Sequence, residues 1–226
     1  YNIHKGFSLG KLKFMLPEMR DALEELNTDL VFLQEVQGEH LRREKRIQNW
    51  PEATQFDFIA EQLWPHVTYG KYAIYQSGHH GNAILNLARD SRSVLNGVID
   101  IPGINSVLHV IGIHFGLFKN ERMDQMEILT QRLADYVPTY EPVIIAGDFN
   151  EWRKSACHAF EEQLNLQEVF KQLDGKYAKS FPAWGPTLPM DRIYYRGLDL
   201  VSGERLKNKP WRLLSDHLPL TASFSI

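Results

Sequence analysis

The sequence predicts an α/β fold in which helices cover the faces of β-sheet. Three observations carry that expectation. Short apolar runs of strand character alternate along the chain with amphipathic stretches of helical period. No low-complexity linker or internal repeat divides the chain, so residues 1–226 read as one domain. The 226 residues, 43% hydrophobic and 23% charged, are also enough to build a single core of good size.

The elements can be taken in order. Met15 to Glu25 has helical character, with Met15, Met19, Ala22, Leu23 and Leu26 near helical spacing, and Asn27-Thr28 breaks it. Asp29 to Leu33 reads as a buried strand. Tyr72 to Tyr75 and Asn82 to Leu87 read as further strands, separated by a loop QSGHHG. Val107 to Ile113 is strongly β-like. Glu121 to Tyr136 follows as a helix with the apolar stripe Met123, Met126, Leu129 and Leu133. Val143 to Ala146 is a strand, and Ser155 to Leu164 a helix with Ser155 as its N-cap. Arg192 to Tyr195 and Leu218 to Phe224 complete the strands.

Composition removes several classes of function. A formal net charge of −3 offers no general basic footprint for nucleic acid, although it leaves room for a local basic groove. The single cysteine, Cys157, can form neither an internal disulfide nor a cysteine zinc site, and fits a reducing compartment, which favours the cytoplasm. No apolar run approaches the ~20 residues that span a bilayer. The chain opens on YNIHKG without Met, which we read as the mark of a removed upstream segment, so that targeting cannot be judged from this sequence.

Polar groups recur where the strands meet their boundaries. LVFLQEV carries Glu35, VIGIHFG carries His114, and VIIAGDFN carries Asp148 and Asn150. LPMDRIY places Asp191 at a strand start, and LLSDHLPL delivers Asp216 and His217. Each has an ordinary reading: a charge at an element end for Glu35, a satisfied histidine for His114, and an Asx turn for Asp148 and Asn150. Asp191 beside Arg192 reads as an ion pair, and Asp216-His217 as a strand opening. Together they point further. Carboxylate and amide oxygens suit a hard cation such as Mg²⁺, histidines supply a proton or positive charge near neutral pH, and an Asp can orient a His. That set reads as metal-assisted hydrolysis, with phosphate esters the natural substrate. Zinc is disfavoured, because neither HExxH nor Cys-rich spacing occurs.

The motifs YNIHKG, FLQEV, HGNAIL, IHFGL, AGDFN, MDRIYYRG and SDHLPL, in that order, resemble the endonuclease/exonuclease/phosphatase superfamily, most closely a small bacterial YbhP-related subgroup. The resemblance runs from Asn2 to Leu220, and it implies a further strand ahead of Asn2 that is truncated in this sequence. It implies a four-layer α/β sandwich of two mixed sheets face to face, with helices outside and the active site at one edge. It implies Mg²⁺, with Mn²⁺ an alternative, held principally by Glu35 and completed by Asp216, with Asn2 close to the metal or to the substrate phosphate. Asp148 would orient or deprotonate the attacking water, while Asn150 binds a phosphate oxygen and positions Asp148. His217, held by Asp191, would contact the scissile phosphate. His114 would be the candidate acid for the leaving oxygen, with no acidic partner assignable from a motif.

Substrate identity is less legible. EHLRREKRIQNW brings Arg42, Arg43, Lys45 and Arg46 soon after Glu35, to grip a polyphosphate, nucleic acid or an anionic lipid, or else to form a solvated charged face. Lys5 and Arg153 follow site strands and are candidate substrate contacts. Trp64, Trp152, Trp184 and Tyr72 form either a stacking or lipid-facing surface or part of the core. The leading expectation is a phosphodiesterase on a small or lipid-like substrate. A nuclease, an inositol-phosphatase-type monoesterase and a non-catalytic binding module are the alternatives. No protein partner can be inferred.

Overall fold

The computed structural model of the chain describes residues 1–8, 13–87, 96–101, 106–152 and 157–225. The first helix, α1 (Leu16–Glu25), starts with a proline at its first turn and buries Leu16, Met19, Ala22 and Leu23. It leads into β1 (Leu30–His40), then short helices α2 (Leu41–Glu44) and α3 (Gln55–Ala60) and the strands β2 (His66–Tyr75) and β3 (Gly78–Asn86). β4 (Asn96–Asp100), β5 (Val107–His114), α4 (Lys119–Tyr136), β6 (Val143–Asp148) and α5 (Cys157–Leu164) follow. The chain then forms β7 (Gln167–Glu168), α6 (Val169–Asp174), β8 (Asp191–Arg196), β9 (Asp199–Arg205), α7 (Trp211–Leu214) and β10 (Leu220–Ser225).

Two principal sheets result. One has the order β1-β3-β2 and the other β4-β5-β6-β8-β7, while β9 and β10 pair as a hairpin. Their alternation sorts the core into layers. On the first sheet Val31, Leu33, Ala83 and Leu85 face α1, α3 and α7. On the second, Ile111, Ile113, Val143, Ile145 and Tyr194 face α4 and α5. The intervening residues meet between the sheets: Phe32 and Ile84 from one, Val110, Ile144, Ala146 and Tyr195 from the other. Gly112 permits that approach, since a Cβ there would lie 3.3 Å from Ile84 and 3.5 Å from Phe32. Each fully buried aliphatic side chain contributes about 2 kcal/mol of transfer free energy.

This is the four-layer arrangement, with finer strand directions than expected. The larger sheet is mixed, because β5 and β6 are parallel and its other pairs antiparallel. The described strands of the smaller sheet pair antiparallel, and its parallel component is the isolated bridge Asn2–Gln34.

Several expectations are corrected. The QSGHHG loop is mostly strand: only Gln76 and Ser77 turn, and Gly78 to Gly81 belong to β3. Glu35 does not end its strand, which continues to His40. Met123 is exposed, and Arg122 is buried on α4 beside Met126 and Leu133. The helix containing Ser155 is described from Cys157, so its N-cap lies outside the described residues, as does Arg153. α3 is a helix beyond those expected, and Thr54 caps it, its hydroxyl accepting from the Asp57 N–H at 3.2 Å. Among the described residues, no helix is long and apolar enough to cross a membrane.

The Ala-Gly step before Asp148 has a steric cause. Gly147 has φ +146°, and a Cβ there would lie 2.0 Å from the Ile113 carbonyl oxygen. Gly147→Ala is expected to lower the unfolding free energy by about 2 kcal/mol or more. Gly185→Ala, with nothing within 4 Å of the added methyl, serves as the near-neutral control in urea denaturation.

Candidate active site

One rung of the larger sheet assembles the centre of the site. His114 on β5 stands beside Asp148 on β6, and Asp148 stands directly opposite Asp191 on β8. Asp148 shares the parity of Ile144 and Ala146, so it emerges between the sheets at their edge. Two carboxylates facing each other across adjacent strands repel. His217 answers this: its Nδ1 is 2.7 Å from Asp191 Oδ2, and its Nε2 is 3.8 Å from Asp148 Oδ2. On the other side, His114 Nε2 is 3.7 Å from the same Asp148 oxygen.

Glu35 reaches this group through a β-bulge. Leu33 pairs with Ala83 and Val36 with Gly81, three steps along β1 against two along β3. Strict alternation would send Glu35 to the helix-covered face with Leu33. The extra residue, with φ +55° at Glu35, gives that place to Val36 and turns the carboxylate toward the first residues of the chain. There Lys5 Nζ donates to Glu35 Oε2. The buried Asn2 amide nitrogen lies 3.4 Å from both Glu35 Oε1 and Asp148 Oδ2, linking the two sheets.

Local sequence holds each piece. Asn150, at φ +49°, is one of the residues that tolerates a left-handed backbone. Its N–H donates to Asp148 Oδ1 at 2.9 Å, which is an Asx turn, and its side-chain amide donates to the Phe115 carbonyl at 2.8 Å. The turn and the positioning of Asp148 are therefore the same contact. Ser180 Oγ accepts from the Asp191 N–H, and the Phe181 ring packs on His217 at 4.9 Å.

The charges follow from these contacts. Burial alone would raise Glu35, but the Lys5 ammonium, and more weakly His114 and His4, hold its carboxyl down to about 2. Burial and the facing Asp191 carboxylate push Asp148 above the usual carboxylate range, against the opposing pull of His217 and His114. Burial would raise Asp191 as well, yet the His217 imidazolium outweighs it and lowers the group. His217 is itself raised to about 10, because the Asp191 carboxylate, then Asp148 and Asp216, overcome burial.

Other expected residues fall less centrally. Asp216 faces the edge of the group: Ser215 Oγ donates to its Oδ1 at 3.2 Å, and His4 Nδ1 is 3.8 Å from its Oδ2. Lys5, expected to touch substrate, is paired with Glu35. Arg43 donates to Gln37 Oε1 and stacks over Phe7, while Arg42, Lys45 and Arg46 are exposed. Trp64 is core, its indole N–H donating to the Thr28 carbonyl, so it leaves the aromatic surface; Trp152, Trp184 and Tyr72 remain exposed.

The structure adds residues that sequence reading missed. Tyr72 OH is 2.9 Å from His114 Nδ1, a partner that no motif signals. Buried Arg122 holds two site loops together, donating to the carbonyls of Gly116 and Leu117 and to Glu151 Oε2. His4, Glu151 and Ser215 lie inside or directly beside the quoted motifs, which was the available signal.

Two donor sets could hold a cation. Asp148, Asp191 and His217 offer ligand atoms within 4.8 Å of one another, but an imidazolium engaged by Asp191 is a poor ligand. The oxygens of Glu35, Asp216 and Asn2 are of the kind a hard divalent ion takes, and the Lys5 ammonium already marks Glu35 as a place for positive charge.

A family model described as "Endonuclease/Exonuclease/phosphatase family" matches residues 1–217. The YbhP protein of Escherichia coli (strain K12) is 37% identical over 239 residues, covering 100% of this chain and 94% of that protein. Among solved structures, an endonuclease/exonuclease/phosphatase from Beutenbergia cavernae superposes with TM-score 0.74 at 16% identity, covering 100% of this chain and 70% of that one. An AP endonuclease from Archaeoglobus fulgidus superposes with TM-score 0.64 at 17% identity, covering 93% of this chain and 94% of that one.

The His217–Asp191 pair sets a pH dependence. A folded-state value of about 10, above the ordinary 6.5, means its stabilisation is complete below pH ~6.5 and is lost as pH rises through 10. The melting temperatures of the chelator-treated wild type and Asp191→Asn should therefore differ most near pH 6 and converge toward pH 10. A gap unchanged across that range would contradict the assignment.

Proposed function

The chain belongs to the endonuclease/exonuclease/phosphatase family, whose members hydrolyse phosphoric esters, and on that premise we propose that it is a divalent-metal-dependent phosphodiesterase acting on a small or lipid-like substrate. The observation that carries this reading is the buried Asp148 carboxylate, raised above its usual range and flanked by His217 and His114. A carboxylate with raised proton affinity is suited to take a proton from water as that water attacks phosphorus.

The roles follow. Asp148 orients the attacking water and accepts its proton, while the Asn150 N–H fixes the carboxylate. Asp191 keeps His217 cationic, so that its Nε2–H stabilises negative charge growing on a phosphoryl oxygen. His114 faces the group from the opposite side, where the leaving oxygen departs. Glu35, with Asn2 and Asp216, would hold Mg²⁺ or Mn²⁺, which when bound neutralises phosphoryl oxygens. Lys5 supplies positive charge at Glu35, and Arg153, which follows AGDFN in the sequence, contacts substrate.

The choice of a lipid-like ester is supported by exposed Leu117, Phe118 and Trp152, carried by the two loops that leave β5 and β6 at the site. A nuclease is the second reading, favoured by the exposed cations Arg42, Lys45 and Arg46 beyond β1. Hydrolysis of a panel tests both: bis(p-nitrophenyl) phosphate, single- and double-stranded DNA, RNA, phospholipid and a phosphomonoester, each with Mg²⁺, Mn²⁺ or chelator. We expect metal-dependent diester turnover, greatest on phospholipid or the small diester. Glu35→Ala and His217→Ala should each lower kcat/KM by at least about a hundredfold. Full activity in either variant would sink the assignment, and a preference for DNA or RNA would select the nuclease.

A further inference from the structure

The two histidines beside Asp148 have partners of different kinds. His217 Nδ1 meets a carboxylate, which draws it into the imidazolium form. His114 Nδ1 meets the hydroxyl of Tyr72 at 2.9 Å, with the rings edge-on at 86°. The sequence suggests no acidic partner for His114, and the structure supplies a phenol in that place. We propose that Tyr72 is the positioning residue for His114, fixing it as an Nε2–H hydrogen-bond donor aimed at the reacting group; this rests on the phosphoesterase reading only for its kinetic consequence.

The tautomer follows from the acceptors. His114 Nε2 faces Asp148 Oδ2 at 3.7 Å. A lone pair there would oppose a carboxylate oxygen, whereas an N–H points favourably at it. Nδ1 then carries the lone pair and accepts the Tyr72 O–H. Although the side chain as a whole is exposed, loss of water around its phenol, then the nearby Glu35 and Asp148 carboxylates, push the phenol above its ordinary value, so it keeps the proton it donates. The ring of Tyr72 is steadied from its other side by His80, edge-on at 5.1 Å and 81°.

The consequence is a division of labour. His217 brings positive charge with a carboxylate at its Nδ1, and His114 brings a directed N–H with a phenol at its Nδ1. This replaces the expectation that His114 is the acid for the leaving oxygen. A neutral imidazole giving up Nε2–H entirely would become an imidazolate, so in this form His114 stabilises the departing oxygen by a hydrogen bond; that oxygen takes its proton from solvent water, and Asp148 returns to solvent the proton it removed from the attacking water.

Tyr72→Phe tests this, because it removes the hydroxyl and keeps the ring contacts. Long-range ¹H–¹⁵N spectra of the whole protein, with His114 assigned by its loss in His114→Asn, report the tautomer without requiring turnover. We expect Nε2–H in the wild type at pH 8 and a mixed or Nδ1–H population in Tyr72→Phe. With a substrate in hand, kcat should fall about tenfold at unchanged KM, the loss of one neutral hydrogen bond. Nδ1–H in the wild type, or an unchanged tautomer in Tyr72→Phe, would overturn the proposal. A correct tautomer shift in a protein that hydrolyses no phosphoester would leave it standing while defeating the phosphoesterase reading.

Discussion

Two carboxylates, Asp148 and Asp191, stand opposite one another on neighbouring strands, and both are buried. Such an arrangement is unstable by itself, because each charge loses water and gains a like neighbour. The His217 imidazolium, held at 2.7 Å from Asp191, is the interaction that makes it tolerable. It takes Asp191 into an ion pair and leaves Asp148 with raised proton affinity. The fold thereby separates two nominally equal aspartates, one lowered by its imidazolium partner and the other raised. The same low-dielectric surroundings that make the arrangement costly also make its fields effective at a reacting phosphate.

Rigid elements carry these groups. His114, Asp148 and Asp191 sit at strand ends whose register is set by buried neighbours on both faces. A one-residue slip of β6 would exchange Asp148 for Gly147 or Phe149 and place the carboxylate in the helix-side core. Arg122 then ties the loops beyond β5 and β6, binding Leu117 and Glu151 from a position buried on α4. The smaller sheet contributes the other half of the site through Asn2, Lys5 and Glu35. The site therefore exists only when the sheets are packed face to face, which couples assembly of the core to assembly of the chemistry.

Much of this was legible in the sequence because the chemistry is local. AGDFN shows a strand, a forced glycine and an Asx turn within five residues, and SDH shows a histidine beside an acid. Glu35 was legible as a site residue, but its means of getting there was not. The pattern around FLQEV ends in polar residues, as a strand terminus does, and nothing in it announces a bulge that reverses the parity. The apolar stripe of α4 misled for a related reason. Met123 fits the helical period, yet the buried place goes to Arg122, whose fork finds carbonyls and a carboxylate in the loops. Tyr72 is further still from a sequence signal, since its contact with His114 crosses from one sheet to the other. The basic cluster near residue 43 reads as one feature in sequence, but Arg43 is spent on Gln37 and Phe7, and only its neighbours remain free for solvent or substrate.

Positive charge around Asp148 has two sources under the proposed function: the His217 imidazolium at Asp191 and a cation held at Glu35. The most direct measurement is anomalous scattering from crystals soaked in Mn²⁺. A peak against Glu35, with the His217 Nδ1–Asp191 hydrogen bond intact, is the predicted result. A peak coordinated by Asp191 and His217 would contradict it, because His217 would then be a neutral ligand, and the charge that makes Asp148 a base would have to come from the metal instead.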